Sequence, residues 1–448
     1  MQEHELSASP SQAALRLALP GMAAMTASAL CALLDALLLA RRGAETSAGV
    51  SASLPILAVI QTIGFTLGTG AGSHISRCIG AGDRASAAQA AQAAFWLSLF
   101  ISVPLCGAGL LLRVPLVRLL GADSPAAFTY AGFLLLSGPL LCMNLVLSSL
   151  LRGVGQMGAY MRAYVFGAVL GASLQFALIG RLGVSGSGAA MLAREGLTLL
   201  LLLFSAGGKS PRILPSLRHI RPAPHAFYHI MRSGLPVFVR QGLSSAAAAV
   251  SSSVSAGFGE PVLAGTGLAA RVVMLVSSAA IGFCQGFQPV CGAACGRGDM
   301  KSAQQTGRAL LIYISVSLAA LGAAVFALAP WLLRCFQPGE EVLLIAVRSL
   351  RAQSAVFFAQ GVVIALTVLT QALGMPLRGS LVSASRQGFV LLPLLLILPR
   401  VFGLTGLILC QSVSDILSLI LCLIIAAPAI RCSSCAPCGC SDARKASR

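Results

Sequence analysis

This sequence predicts an all-α integral membrane protein, with twelve transmembrane helices in two parallel six-helix repeats. Three observations lead there. The 448 residues are 57% hydrophobic and only 10% charged, whereas a soluble domain carries about a quarter charged residues. Apolar runs long enough for a span of ~20 residues recur along nearly the whole chain. Matching punctuation appears twice. Ile63-Gly64-Phe65 precedes Gly80-Ala81-Gly82-Asp83, and Ile281-Gly282-Phe283 precedes Gly296-Arg297-Gly298-Asp299; Ser-Ala begins three residues after each Asp, at Ser86 and Ser302.

The spans fall near 13–40, 50–76, 88–112, 126–151, 159–181, 185–206, 233–257, 262–292, 305–333, 342–371, 379–400 and 404–428. Helix is the form that satisfies each backbone amide within its own segment in lipid. The alternation of a membrane barrel is absent. Residues 1–11 are polar, with Glu3 and Glu5, and the run behind them is too long for a signal-peptide core. The longest polar stretch, 207–232, holds Lys209, Arg212, Pro215, Arg218, Arg221, Pro222 and Pro224, the mixture of a connecting loop. It divides an N-terminal lobe (1–206) from a C-terminal lobe (233–430), with a Cys-rich tail at 431–448. Pro20 and Pro236 are expected to open the first helix of each half, 216 residues apart like Asp83 and Asp299. An even number of helices per half makes the repeats parallel, related by an axis along the membrane normal.

Charge sets the expected orientation. The net charge is +18, from 31 Lys and Arg against 13 Asp and Glu. Most basic residues fall in alternate loops, which places both termini in the cytoplasm. The basic residues are scattered through short loops and not interleaved with aromatics, which argues against nucleic acid as a partner. Of the fourteen cysteines, those from Cys31 to Cys422 lie in or beside apolar runs and are expected as small hydrophobes without a disulfide framework. Cys432, Cys435, Cys438 and Cys440 crowd the tail at a spacing that zinc or acyl groups can use, although a reduced tail without metal is preferred. His219, His225 and His229 are expected to be solvated in the central loop, although His225 and His229 could share a helix face.

Asp35 is the leading candidate for chemistry. It lies within Ala29-Leu30-Cys31-Ala32-Leu33-Leu34-Asp35-Ala36-Leu37-Leu38-Leu39. An ionised carboxylate at such a depth costs ~2.5–3.5 kcal/mol on insertion scales, so a membrane acid is by default a functional site. The competing reading is a solvated helix end beside Arg41 and Arg42. Asn144 and Gln175 are polar candidates that could equally bond between helices. Arg240 and Gln241 could meet substrate, or pack and snorkel. Asp415 lies among Ser412, Ser414 and Ser418 as a second titrating group or a structural one, and Glu195 beside Arg194 suggests a local pair. The two Gly-x-Gly-Asp segments lack the Lys and Ser/Thr of a phosphate loop; glycine ending one helix and Asp capping the next is the expected role. No paired acids or His-Glu-x-x-His motif suggests an enzyme, and no cofactor or metal is expected.

Taken in order, several pieces resemble the multidrug and toxic compound extrusion (MATE) family, in its bacterial DinF-like or MepA-like branch. They are Leu34-Asp35, Gly80 to Asp83, Leu150-Leu151-Arg152-Gly153-Val154-Gly155, Ile281 to Pro289, Gln371-Ala372-Leu373-Gly374, Arg386 to Pro393 and Ser412-Val413-Ser414-Asp415. The resemblance covers about 15–428. It implies two lobes around a cavity that opens alternately to each side. It implies export of amphipathic, cationic small molecules against inward H⁺ or Na⁺, with Asp35 at the coupling position, by a monomer in the bacterial cytoplasmic membrane. Many members carry an Asn and an Asp four residues apart on the fifth span; those positions align here with Ser173 and Ala177. Fewer oxygens for a hard cation favour H⁺. A lipid-linked oligosaccharide flippase of the related superfamily is the alternative, disfavoured by twelve spans and few candidate cavity arginines.

Overall fold

A computed structural model of the 448-residue chain describes residues 10–40, 44–120, 123–207, 224–336 and 339–431. The described residues are almost wholly helical, and there is no strand among them. In order, the helices are α1 (Pro10–Ala40), α2 (Ala44–Gly80), α3 (Arg84–Leu111), the short α4 (Arg113–Leu119), α5 (Pro125–Gly153), α6 (Met157–Gly207), α7 (Pro224–Ala256), α8 (Glu260–Gly296), α9 (Met300–Arg334), α10 (Glu340–Ser354), α11 (Phe357–Ala372), α12 (Pro376–Ala384) and α13 (Leu391–Arg431). A π-helical turn, Ser385–Val390, joins the last two.

Twelve spans emerge once the breaks are counted. Helix α6 is interrupted at Gly183 (φ 58°, ψ −130°) and α13 at Gly403 (φ 57°, ψ −137°), in backbone regions that a side chain excludes. Each therefore supplies two spans, while α10 and α11, bent by 54°, form one. Helix α7 is too rich in serine and carries Arg232 and Arg240, so it is missing from the helices apolar enough to cross on composition alone. A polar helix at membrane depth must be covered by protein or line a cavity. Helix α7 is partly sheathed by α2 and α12.

The repeat is visible in detail. Asp83 N–H bonds to Cys78 O and Asp299 N–H to Ala294 O, closing the turns after α2 and α8. Asp83 then accepts from Ser86 N–H at 3.0 Å, and Asp299 from Ser302 N–H at 3.1 Å, as expected of caps. Pro20 and Pro236 lie inside α1 and α7 and do not open them; the helices begin ten and twelve residues earlier, at Pro10 and Pro224. Membrane helices tolerate such internal prolines because neighbours re-satisfy the freed carbonyl.

Helices α1 and α7 cross between the lobes. Near the two Gly-x-Gly-Asp turns, Ala14 and Ala18 of α1 join the C-terminal core around Phe283, Phe287 and Leu310, while Ile230 of α7 joins the N-terminal core around Leu67 and Leu147. Towards their other ends, Leu39 packs with Ile60 and Tyr130, and Ala247 with Leu391 and Leu395, each in its own lobe. The lobes are therefore interlocked at the end that carries those turns. Arg77 of α2 ties the seam, donating to Gln371 O of α11 at 3.0 Å and Ser233 Oγ of α7 at 3.2 Å. Gln288 Nε2 donates to Ser73 Oγ across it at 2.5 Å. His229, expected to be solvated, is instead in α7 and stacked on His74 of α2 with ring centroids 5.2 Å apart. His219 and the tail cysteines lie outside the described residues, as does the side chain of His225.

Arg77→Gln is expected to loosen this seam, because the shorter amide cannot span both acceptors. Thiol labelling followed by peptide mass spectrometry should show buried Cys78 reacting several-fold faster than in the parent protein.

Candidate ion-coupling site

The site is built on the half of α1 remote from the seam. Asp35 is half-buried there, five residues before the helix ends. Three helices send donors to its carboxylate. Tyr130 of α5 donates its hydroxyl to Oδ2 at 3.3 Å. Ser187, just after the break in α6, donates to Oδ1 at 2.8 Å. Gln175, before that break, donates its amide to the same oxygen and also to Ser187 Oγ, the latter at 3.0 Å. The glycine break at 183 folds the two halves of α6 back on each other, which is how Gln175 and Ser187, twelve residues apart, meet one carboxylate.

A second polar group lies along the same helix faces. Arg194, two turns after Ser187, donates to Cys31 Sγ at 3.3 Å, one turn before Asp35. Its guanidinium pairs with Glu195 at 2.7 Å. Asn144 of α5 donates to the Glu195 side chain at 2.8 Å and to its carbonyl at 2.9 Å, while its own Oδ1 has no partner.

The candidates from sequence therefore separate. Asp35 and Gln175 meet. Asn144 belongs to the Glu195 pair, not to Asp35. Ser173 turns away: it shares an exposed stripe with Phe166, Val169 and Phe176, and its hydroxyl bonds to Val169 O at 2.9 Å. The family's Asn position thus aligns with an outward residue here, and Gln175, two residues on, occupies the inward face. Gln241 is half-buried on α7, and its carbonyl accepts from Ser245.

Asp415 is buried and ion-paired with Arg386 at 2.6 Å, with Gln411 donating to the same oxygen at 3.2 Å. Ser412 and Ser414, expected as its partners, bond to Ala352 O and Arg386 O instead. Arg386 lies in the π-helical turn that leads into α13. Glu195 and Asp415 each follow a positive-φ glycine, Gly183 and Gly403, by twelve residues, so they are repeat mates. Each has an arginine and a side-chain amide. Asp35 has no such mate; Ser251 stands 216 residues on. The site is confined to one lobe.

Sequence reasoning missed Tyr130 and Ser187. A tyrosine within an apolar helix needs a partner for its hydroxyl, and that signal was available. Serine bonds so readily to its own helix that Ser187 carried none. The cysteines followed expectation in part. Among the described residues nine are free thiols, eight of them buried, but Cys295 at the end of α8 is disulfide-bonded, which departs from the expected absence of disulfides.

A family model described as MatE matches residues 20–177 and 236–397. The chain belongs to the MatE family. Among curated relatives, a protein named multidrug export protein MepA from Staphylococcus saprophyticus is 26% identical over 365 residues, covering 80% of each chain. Its namesake from Staphylococcus aureus is 24% identical with the same coverage. Among solved structures, an outward-facing multidrug resistance MATE transporter of the MOP superfamily superposes with a TM-score of 0.90 at 24% identity, over 96% of this chain and 97% of that one. The protein is thus a multi-pass MatE transporter with the two-lobed MATE fold.

Within this MatE transporter, Asp415→Ala leaves the Arg386 cation uncompensated among buried groups. Breaking a buried pair from one side costs about 3–5 kcal/mol. A large fall in melting temperature in detergent is expected, largely recovered when Arg386→Met is added.

Proposed function

We propose that this MatE transporter exports amphipathic, cationic small molecules across the bacterial cytoplasmic membrane by alternating access, driven by inward H⁺ and coupled through Asp35. Both termini and the two Gly-x-Gly-Asp turns then face the cytoplasm. The relatives' names, multidrug export protein, support the substrate class. The observation that carries the reading is the Asp35 site itself. One carboxylate is surrounded by three neutral side chains, and all three present hydrogens to it. Donors suit a carboxylate that alternates between ionised and protonated forms, whereas a sodium ion needs about six oxygens turned inward.

Protonation supplies the coupling. A neutral carboxyl has its own hydrogen to place, so a Tyr130 or Ser187 hydroxyl turns round to accept it, and the bonds that remain lose their charge assistance. The hold of α5 and of both halves of α6 on α1 is therefore weaker in the protonated form, which frees them to shift. Substrate release follows if the shifted arrangement binds it more weakly. The test is efflux of ethidium from proteoliposomes under separate H⁺ and Na⁺ gradients. A proton gradient alone should drive it; efflux under Na⁺ alone, with none under H⁺, would overturn the choice of ion.

A further inference from the structure

Outside the central site, the crevice between α9 and α11 has no part in this mechanism. It is a narrow, partly open groove. Its apolar wall is made by Gly307, Leu311, Leu366, Leu369 and Leu373, and its rim by Gln304 and Arg308. Lys301, Gln304 and Arg308 are spaced i, i+3, i+7 and so share one face of the first turns of α9. Arg308 is exposed, and no acid pairs with it among the described residues. The nearest acid in sequence, Asp299, is engaged as the cap of α9, where Ser302 holds it below the usual carboxylate range.

Depth decides what this face meets. The stretch from Ala309 to Leu333 is free of charge and fills a bilayer core of about 30 Å. Arg308 stands at its edge. Ile312 and Val316, one and two turns on, are 62% and 64% exposed, so the stripe that begins at Arg308 faces lipid. The repeat offers an internal comparison. On α3 the positions 216 residues earlier are Ala85, Ala88, Ala91, Gln92 and Phe95 in place of Lys301, Gln304, Gly307, Arg308 and Leu311. There the cations are missing, and buried Ala91 and Phe95 occupy the space.

We infer that the crevice between α9 and α11 is a binding site for an anionic phospholipid, with one acyl chain against Gly307, Leu311 and Leu369 and the phosphate on Arg308, Gln304 and Lys301. The charge is complementary, and the chain enters a groove that helix packing leaves unfilled. This inference stands apart from the ion-coupling reading, because neither Asp35 nor its donors take part.

Native mass spectrometry of the detergent-purified protein tests it, with phosphatidylglycerol and phosphatidylcholine of matched chains added separately. The parent protein should retain phosphatidylglycerol in preference. Arg308→Gln should cut that preference about fivefold, the worth of one basic residue at an anionic surface. Gly307→Ala with Leu311→Phe, which reproduces residues the first repeat already accommodates, should lower retention of both lipids. Arg297→Gln, on the same side but outside the crevice, should change nothing. Equal retention of the two lipids by the parent protein would overturn the inference. So would undiminished preference in Arg308→Gln, or equal losses in Arg297→Gln and Arg308→Gln, which would mark a diffuse attraction.

Discussion

Asp35→Asn is expected to reduce H⁺-driven efflux to the level of empty liposomes while leaving the protein folded. Asparagine keeps the size and shape of the side chain but cannot exchange a proton. It resembles the neutral carboxyl, which the other half of the proposed cycle requires. Counterflow of substrate without any gradient should therefore persist, and the two measurements together separate loss of coupling from loss of structure. The energetics support a switch of this kind. Hydrogen bonds to a charged group are worth about 1.5–3 kcal/mol each. The three donors at Asp35 thus offset a depth penalty of ~2.5–3.5 kcal/mol. Gln175→Leu should weaken coupling without abolishing it, because Tyr130 and Ser187 remain. Unchanged gradient-driven efflux in Asp35→Asn would remove the residue from the mechanism.

Asp35 was legible in the sequence because a charge in an apolar run is costly and stands out. The repeat was legible because helix ends need glycine and a capping Asp wherever they occur, so the same few residues recur at both turns. The donors around Asp35 were harder to find. Tyr130 and Ser187 lie 95 and 152 residues from it; a tyrosine in an apolar helix signals that its hydroxyl needs a partner but not which one, and Ser187 carries no local mark. Ser173 shows the limit of carrying a position across by alignment. Its spacing from Gly183 is right, but the face that turns inward is set by packing of α6 on α1 and α5, and Gln175 fills it. Arg386 was named only as the start of a motif. It lies in a π-helical turn, which has no sequence rule to announce it, and its partner Asp415 is 29 residues on. The start of α7 at Pro224 was obscured for a simpler reason: its first turns, with His225, His229 and Arg232, are polar enough to pass for loop.

The interlobe seam leads to the second large effect. At Gly286 of α8 an added Cβ would sit 2.3 Å from Ala18 Cα of α1, and at Gly70 of α2 it would sit 2.2 Å from Ile230 O of α7. The two crossings are repeat mates, since Gly70 and Gly286 are 216 residues apart. At both, the obstacle is backbone, which cannot rotate aside as a side chain can. Gly286→Leu must therefore part the lobes at the end bearing the Gly-x-Gly-Asp turns. Overpacking within a core costs about 1–3 kcal/mol, and here the added atoms meet the stretch of α1 that reaches across the seam into the C-terminal core. The lobes retain most of their own cores, so the cheaper response is to open the seam and not to unfold. Ligand-driven redistribution between two states takes about 5.5 kcal/mol to go from 1:99 to 99:1, so a clash of a few kcal/mol depletes the closed form severely. Transport in both directions should be lost, because a cycle of alternating access needs each end to shut. Buried Cys291, on α8 beside the seam, should become reactive to maleimide in the same variant. Gly242→Leu is the control: nothing lies within 4 Å of an added Cβ there, and transport should survive. Normal efflux by Gly286→Leu would mean that closing this seam is not a step in the cycle, and the crossing of α1 and α7 would then be architecture alone.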